Sequence, residues 1–262
     1  MTATGELPPL LEGLNDPQRA AVTHAEGAVL ILAGPGSGKT RVITQRIAYL
    51  VRERRVAPWR ILAVTFTNKA AREMRDRARV LLGDDASSVA LGTFHSMCAR
   101  WLRADGHVIG IDRDFVIYDD ADQVALMKRV IEELHVDPRR FSPRSILGTI
   151  SNAKSDLIVP EEFAHRVRDY YQEVAARAYT RYQESLRAAS ALDFDDLLNE
   201  ALRMFRESEA ALEKYAGRFL HVMVDEFQDT NTVQYQLARL LASKHGNIAV
   251  VGDPDQSIYS WR

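Results

Sequence analysis

An apolar run, Ala28-Val29-Leu30-Ile31-Leu32, leads straight into Ala33-Gly34-Pro35-Gly36-Ser37-Gly38-Lys39-Thr40, and a helical pattern from Arg41 to Val51 follows. Strand, glycine-rich loop and helix in that order constrain the chain more than any other feature, because this context turns a Gly-Lys-Thr loop into a phosphate cradle. Glycines let successive backbone N–H groups turn inward on an anion, and the following helix aims its positive end at the same point. Lys39 is placed to reach the β- and γ-phosphates of a nucleoside triphosphate, and the Thr40 hydroxyl to bind Mg²⁺. Position 33 is Ala where the strict pattern has Gly, so the loop follows a relaxed form.

Further apolar, β-branched runs read as strands: Ile61–Phe66, Val89–Gly92, Leu220–Val224 and Ile248–Val251. With Val29–Ala33 they are near-continuous rather than alternating, as in a parallel sheet covered on both faces. Helical patterns lie between them. Lys69–Leu82 stops at Gly83 and Val233–His245 at Gly246, both placed as left-handed C-terminal caps. The alternation predicts an α/β fold of doubly wound type, with functional loops at the carboxyl ends of the strands.

From about Asp112 to Ser190 the alternation stops. The patterns Ala121–His135, Pro143–Ala153 and Glu161–Ala189 are helical, broken at Asp137-Pro138 and Val159-Pro160. The expected division is therefore 1–111, a helical insertion over 112–190, and a return to the α/β core over 191–262, opening with a helix over Phe194–Arg206. Asp193, Asp195 and Asp196 read as the acidic start of that helix, not as a metal cluster.

A second acidic signal carries chemistry. Asp225 and Glu226 close the run His221-Val222-Met223-Val224. At the end of a buried strand such a pair complements a phosphate loop: Asp225 to hold Mg²⁺, Glu226 to orient and deprotonate an attacking water.

Composition excludes little. The chain has 262 residues and a formal net charge of −2, so any nucleic-acid site must be local rather than a global basic field. No apolar run approaches the ~18 residues of a membrane span. The N-terminus lacks the features of a secretory leader. Cys98 is the single cysteine; this fits a reducing compartment, and the expected location is the cytoplasm. His95 and Cys98 form one His-x-x-Cys pair with no second pair to complete a zinc site.

Several segments together resemble the superfamily 1A DNA helicases, the UvrD/PcrA/Rep family. Asp225-Glu226-Phe227-Gln228-Asp229-Thr230-Asn231 and the stretch from Val251 to Arg262 resemble its motifs II and III. Thr65–Ala71 resembles motif Ia, Gly92–Ser96 motif Ib, and Leu14-Asn15-Asp16-Pro17-Gln18 the adenine-reading Q motif. The resemblance implies a RecA-like P-loop NTPase sheet, ATP and Mg²⁺ as cofactors, and an inserted helical subdomain 1B, marked by Phe141–Leu147. It implies that Gln18 reads the adenine edge, Arg41 stacks on its face, Gln256 senses the γ-phosphate and Arg262 lies near it. Phe66, Tyr259 and Trp261 match bases-stacking positions on single-stranded DNA, and Thr65, Asn68, Thr93 and His95 match backbone contacts. The expected partners are single-stranded DNA and single-strand/duplex junctions. A second RecA-like domain, which the family supplies in cis, has no counterpart in these residues. The expected function is thus the N-terminal motor portion of an ATP-dependent 3′-to-5′ DNA helicase, weak or inactive by itself; the alternatives are the motor half of a helicase–nuclease and a nucleotide-dependent DNA-binding module.

Overall fold

The computed structural model describes residues 8–256. In chain order its elements are α1 (Asp16–Thr23), β1 (Val29–Leu32), α2 (Lys39–Arg52), β2 (Ile61–Thr65), α3 (Asn68–Leu82), β3 (Ala90–Thr93) and α4 (Phe94–Asp105). Next come β4 (Val116–Ile117), α5 (Asp120–Glu133), α6 (Pro143–Ser155), α7 (Pro160–His165), α8 (Tyr170–Ala188) and β5 (Ala191–Leu192). The rest are α9 (Phe194–Glu207), α10 (Glu209–Arg218), β6 (His221–Val224), α11 (Thr232–Ala242) and β7 (Ile248–Gly252). Among the described residues, no helix is long and apolar enough to cross a membrane.

By compactness the chain divides into two units. Of the described residues, one unit comprises 8–94, Leu212–Thr230 and 238–256; the other comprises His95–Ala211 and Asn231–Leu237.

The first unit is built on a parallel five-stranded sheet in the order β1-β7-β6-β2-β3. Val29 pairs with Ala249, Val222 with Ile248, Ile61 with His221 and Leu62 with Ala90. One sheet face, through Ile61, Ala63, Met223 and Val251, packs on Ile47 of α2 and Met74 of α3. The α/β fold expected from the alternation is the observed one. Placing β7 and β6 between β1 and β2 aligns the carboxyl ends of β1, β7 and β6, so the three loops that carry the distinctive motifs emerge side by side.

β1 departs from the expected full burial. Leu30 and Leu32 are 59% and 63% exposed, while Val29 and Ile31 pack on the core. The physical reason is position: β1 is an edge strand, and a run that looks continuously apolar still alternates faces.

The second unit is mostly helical. Leu126 and Val130 of α5, Ile146 and Ile150 of α6, and Val174 and Tyr182 of α8 form its core. Two details correct the sequence reading. The helix expected over Glu161–Ala189 is two helices, α7 and α8, because the Asp169 side chain accepts from Gln172 N at 2.8 Å and so starts a new helix. A parallel pair, Val116 with Ala191 and Ile117 with Leu192, joins the two ends of the insertion. Strands of two residues give no periodicity to read. Helices α4 and α9, read from sequence with the sheet-bearing portions, lie within the helical unit. Trp101 packs on Phe205 with ring centroids 5.5 Å apart, and Arg203 Nη2 donates to Ile109 O at 3.1 Å.

Candidate nucleotide site and nucleic-acid interface

The loop after β1 is held open by backbone geometry. Ala33 N donates to Gly252 O at 3.1 Å, carrying the β1–β7 ladder one step past the strand. Gly36 and Gly38 have φ of +70° and +84°, the left-handed region that glycine reaches without steric cost. Ser37 Oγ and Ser37 N both bond Gly34 O, at 2.6 and 3.3 Å, closing the turn between Gly34 and Ser37 and leaving Pro35 on the exposed rim. Gly38 is the N-cap of α2 and supplies no side-chain acceptor. The first N–H groups of α2 therefore face outward uncapped, and with the helix dipole they form an anion seat.

Three carboxylates converge behind that seat. The Lys39 ammonium, largely buried, lies 3.2 Å from Asp253 Oδ2 and 4.0 Å from Glu226 Oε2. Thr40 Oγ1 donates to Asp225 Oδ2 at 3.5 Å, a long bond. Burial, then the charge of Glu226, pushes the Asp225 carboxyl up to about 6, opposed by Glu226 N, Lys39 and Thr40. A hydroxyl and one carboxylate are hard oxygen donors of the kind Mg²⁺ takes beside substrate phosphate and water. These residues thus fit that ion. Among the described residues, no group of three or more His, Cys, Asp or Glu could hold a metal by itself.

Glu226 is set by strain and by a clamp. Its φ of +49° and ψ of +45° are left-handed, a conformation costing about 1 kcal/mol or more for a side-chain-bearing residue. Gln228 Nε2 donates to Glu226 Oε2 at 2.8 Å, and Gln228 Oε1 accepts from Asp253 N at 3.0 Å. Gln228 thereby ties the loop after β6 to the end of β7. Gly252 permits the approach: a Cβ there would sit 2.9 Å from Gln228 Oε1 and 3.4 Å from Gln228 N. Asp253 and Gln228 were not singled out as functional from sequence, although both lie inside the quoted motifs. What could have found Asp253 is its place at the carboxyl end of the strand beside β1, where Lys39 must find a counter-charge.

On the other side of the loop, Asn15 and Gln18 form a reciprocal capping box at the start of α1, and Gln18 Nε2 donates to Ser37 O at 2.9 Å. A Cβ on Gly13 would meet Arg41 Nη2 at 3.3 Å, and one on Gly38 would meet Gln18 Nε2 at 3.5 Å. Gln18 and the exposed Arg41 thus flank one edge of the cradle.

The residues matched to DNA positions are placed unequally. An open pocket of about 410 Å³ is lined by Thr65, Phe66, Thr67, Ala70, Glu226, Gln228, Asp229 and Gln256. It joins the loop after β2 to those after β6 and β7. Phe66 is half-buried, edge-on to Phe94 at 6.2 Å. Asn68 is exposed in the first turn of α3, which Thr67 caps by accepting from Ala70 N. Thr65 and Thr93 pair in register across β2 and β3, and both side chains are buried. His95 is half-buried in α4, edge-on to Phe194 at 6.0 Å, and burial lowers its pKa. Tyr259, Trp261 and Arg262 lie outside the described residues.

Comparison with known proteins shows the family. Residues 14–262 match the family model described as the UvrD/REP helicase N-terminal domain. The chain is 51% identical over 253 residues to the ATP-dependent DNA helicase PcrA of Bacillus subtilis, covering 97% of this chain and 34% of that protein. It is 49% identical to the proteins of the same name from Leuconostoc citreum and Staphylococcus aureus, covering 97% of this chain and 34% and 35% of those proteins. The chain thus spans about a third of the length of the curated relatives it matches.

Proposed function

This chain belongs to the UvrD/REP helicase N-terminal domain family, and from that premise we propose that it is the ATP-hydrolysing motor portion of a DNA helicase that moves along single-stranded DNA and opens duplex in the 3′-to-5′ sense. The observation that carries the reading is the shared pocket: Glu226 and Gln256, at the nucleotide side, line the same space as Phe66 and Thr67, at the proposed DNA side. Hydrolysis and strand binding thereby have a common wall through which a shift at one is felt at the other.

The roles follow from chemistry and position. The cradle from Ala33 to Thr40 binds the phosphate chain, and Lys39 exchanges its partners Asp253 and Glu226 for phosphate oxygens. Thr40 and Asp225 would hold Mg²⁺, which neutralises charge developing on the phosphates. Released from Lys39, Glu226 accepts a proton from the attacking water. Gln256 reports the state of the γ-phosphate, and Gln18 and Arg41 take the adenine. Phe66 stacks on a base, worth roughly 1–3 kcal/mol with little sequence preference; Asn68 and His95 contact the strand backbone, and the buried Thr65 shapes that wall with Thr93 paired beside it on β3. Tyr259 and Trp261 are proposed as further stacking groups and Arg262 as a γ-phosphate group. A second motor domain in the longer protein would close the ATP site.

The test is a pair of substitutions, read by calorimetric ATP binding with Mg²⁺ and, in the longer protein that carries the second motor domain, by single-turnover hydrolysis. Lys39→Ala should weaken ATP binding by about 10²-fold. Glu226→Gln should bind ATP within about threefold of the parent while slowing hydrolysis by about 10²–10⁴-fold. ATP binding that is unchanged in Lys39→Ala, or hydrolysis unchanged in Glu226→Gln, defeats the proposal.

A further inference from the structure

Arg46 lies on the phosphate-loop helix α2, seven positions beyond Lys39 and so two turns along the same side. Its side chain is buried. The Nη1 donates to three backbone carbonyls, Ala21 O at 3.0 Å, Val22 O at 3.3 Å and His24 O at 2.5 Å. These carbonyls are the C-terminal end of α1, where a helix has unpaired acceptors and a partial negative charge. Among the described residues, no carboxylate forms an ion pair with Arg46, and its hydrogen bonds go to that helix end.

The other end of α1 belongs to the nucleotide site. Gln18 sits in its first turn, fixed by the capping box with Asn15 and by the bond to Ser37 O. With eight residues, α1 is too short to be stable unaided, and its orientation is set by what grips it. On the α2 side, α1 is held by Ala21 and Val22 in a small apolar cluster with Val42 and by the Arg46 fan of hydrogen bonds. The apolar contact is non-directional. The hydrogen bonds fix rotation and axial position, and Gln18 is only one helix length away, about 12 Å.

We infer that Arg46 is a positioning residue for nucleobase recognition: by holding the carbonyl end of α1 on α2, it aims Gln18 at the base while leaving the phosphate cradle to Lys39 and Thr40. The inference rests on the reading that Gln18 takes the adenine. It predicts that Arg46 governs the preference for a nucleotide over a bare phosphate chain, which a residue needed only for folding would not do.

The experiment compares Mg²⁺-dependent binding of ATP and of inorganic tripolyphosphate by calorimetry on this chain. Arg46→Met should weaken ATP by about tenfold and tripolyphosphate by no more than about twofold. Arg46→Lys should fall between, since an ammonium keeps donors but loses the planar fork. In a Gln18→Ala background, Arg46→Met should cause no further loss of ATP binding, because both act through one contact. Should Arg46→Met fail to fold, Arg46→Lys carries the same comparison. Equal losses for both ligands, no loss for ATP, or additive losses with Gln18→Ala would overturn the inference. If instead Gln18→Ala itself leaves the ATP-to-tripolyphosphate ratio unchanged, the nucleobase reading has failed, and the role of Arg46 fails with it for that separate reason.

Discussion

Each unit buries a cation away from the nucleotide site, Arg46 in one and Lys154 in the other, and they do it in opposite ways. In the sheet unit Arg46 is surrounded by carbonyl oxygens, and burial lowers its pKa to about 10, still well above neutrality. In the helical unit Lys154 of α6 lies 2.6 Å from Asp193 Oδ2 and 2.7 Å from Asp196 Oδ1, at the start of α9. Burial alone would lower Lys154, but Asp196 and Asp193 override it and hold the ammonium above its ordinary range. The two carboxylates are shared further. Tyr182 donates to Asp193 at 3.2 Å, Gln183 Nε2 bonds both oxygens of Asp196, and each Asp accepts from the other's backbone N–H. The difference is one of specificity. Carbonyls at a helix end orient a helix without demanding one partner, whereas full charges in a dry interior tolerate no mismatch.

The largest predicted effect follows. Lys154→Met leaves two carboxylates buried without their cation and should destabilise the chain by about 3–5 kcal/mol. Adding Asp196→Asn should recover part of that loss, since it removes one uncompensated charge. Urea unfolding of the single and double variants measures both. A single variant losing less than about 1 kcal/mol would show that the cluster is solvated after all, and the contrast with Arg46 would collapse.

This cluster also shows where the sequence stops being readable. Asp193 and Asp196 were legible as a helix start, and they do form a capping box. Their partner Lys154 is 39 residues away, and no local pattern announces a tertiary pair. The turn after β1 and the start of α2 were legible because spacing itself encodes them: glycines at fixed offsets, then Lys-Thr. Asp225 and Glu226 were legible because they end a strand. The exposure of Leu30 and Leu32 was not, since edge position depends on strand order, which only long-range pairing decides. Nor was the break between α7 and α8, where Asp169 starts a helix with no Gly or Pro to mark it. The burial of Thr65 and Thr93 likewise arises from pairing across β2 and β3.

Arg46 gives the next effect in size. Arg46→Met strips three buried carbonyls of their donor but leaves no opposite charge stranded, so about 2–3 kcal/mol should be lost, less than at Lys154. The loss should be recovered in part by Arg46→Lys, because carbonyls accept from any cation within reach. At the Lys154 site the corresponding swap, Lys154→Arg, should give no such tolerance, because a guanidinium does not fit a pocket closed around one nitrogen. Equal tolerance at both sites, measured in the same unfolding series, would erase the distinction between orienting and pairing.

The smallest effect concerns pH, and here the two units differ in sign. Burial raises Asp196 to about 7, with the Asp193 charge adding to the rise and Lys154 opposing it. A carboxyl held above its unfolded value near 4 adds stability in acid and loses it as pH rises through about 7. His221 on β6 does the reverse. Burial lowers it to about 4, and the charges of Arg46, His245, Arg54 and Arg60 add to the effect. A histidine held neutral keeps its full contribution above its ordinary pKa near 6.5 and loses it as pH falls toward 4, because the unfolded chain takes up the proton first. Substituting His221→Gln should therefore remove an acid-sensitive loss of about 1–2 kcal/mol between pH 7 and pH 5. The variant, whatever its stability at pH 7, should show a flatter decline toward pH 5 than the parent in parallel urea titrations. Asp196→Asn should steepen that decline, since it deletes the group that gains in acid. If both variants keep the parent's pH profile, neither buried group titrates as its surroundings dictate. Arg46 would then not be acting on His221 at all, and the opposition between the two units would reduce to hydrogen-bond geometry.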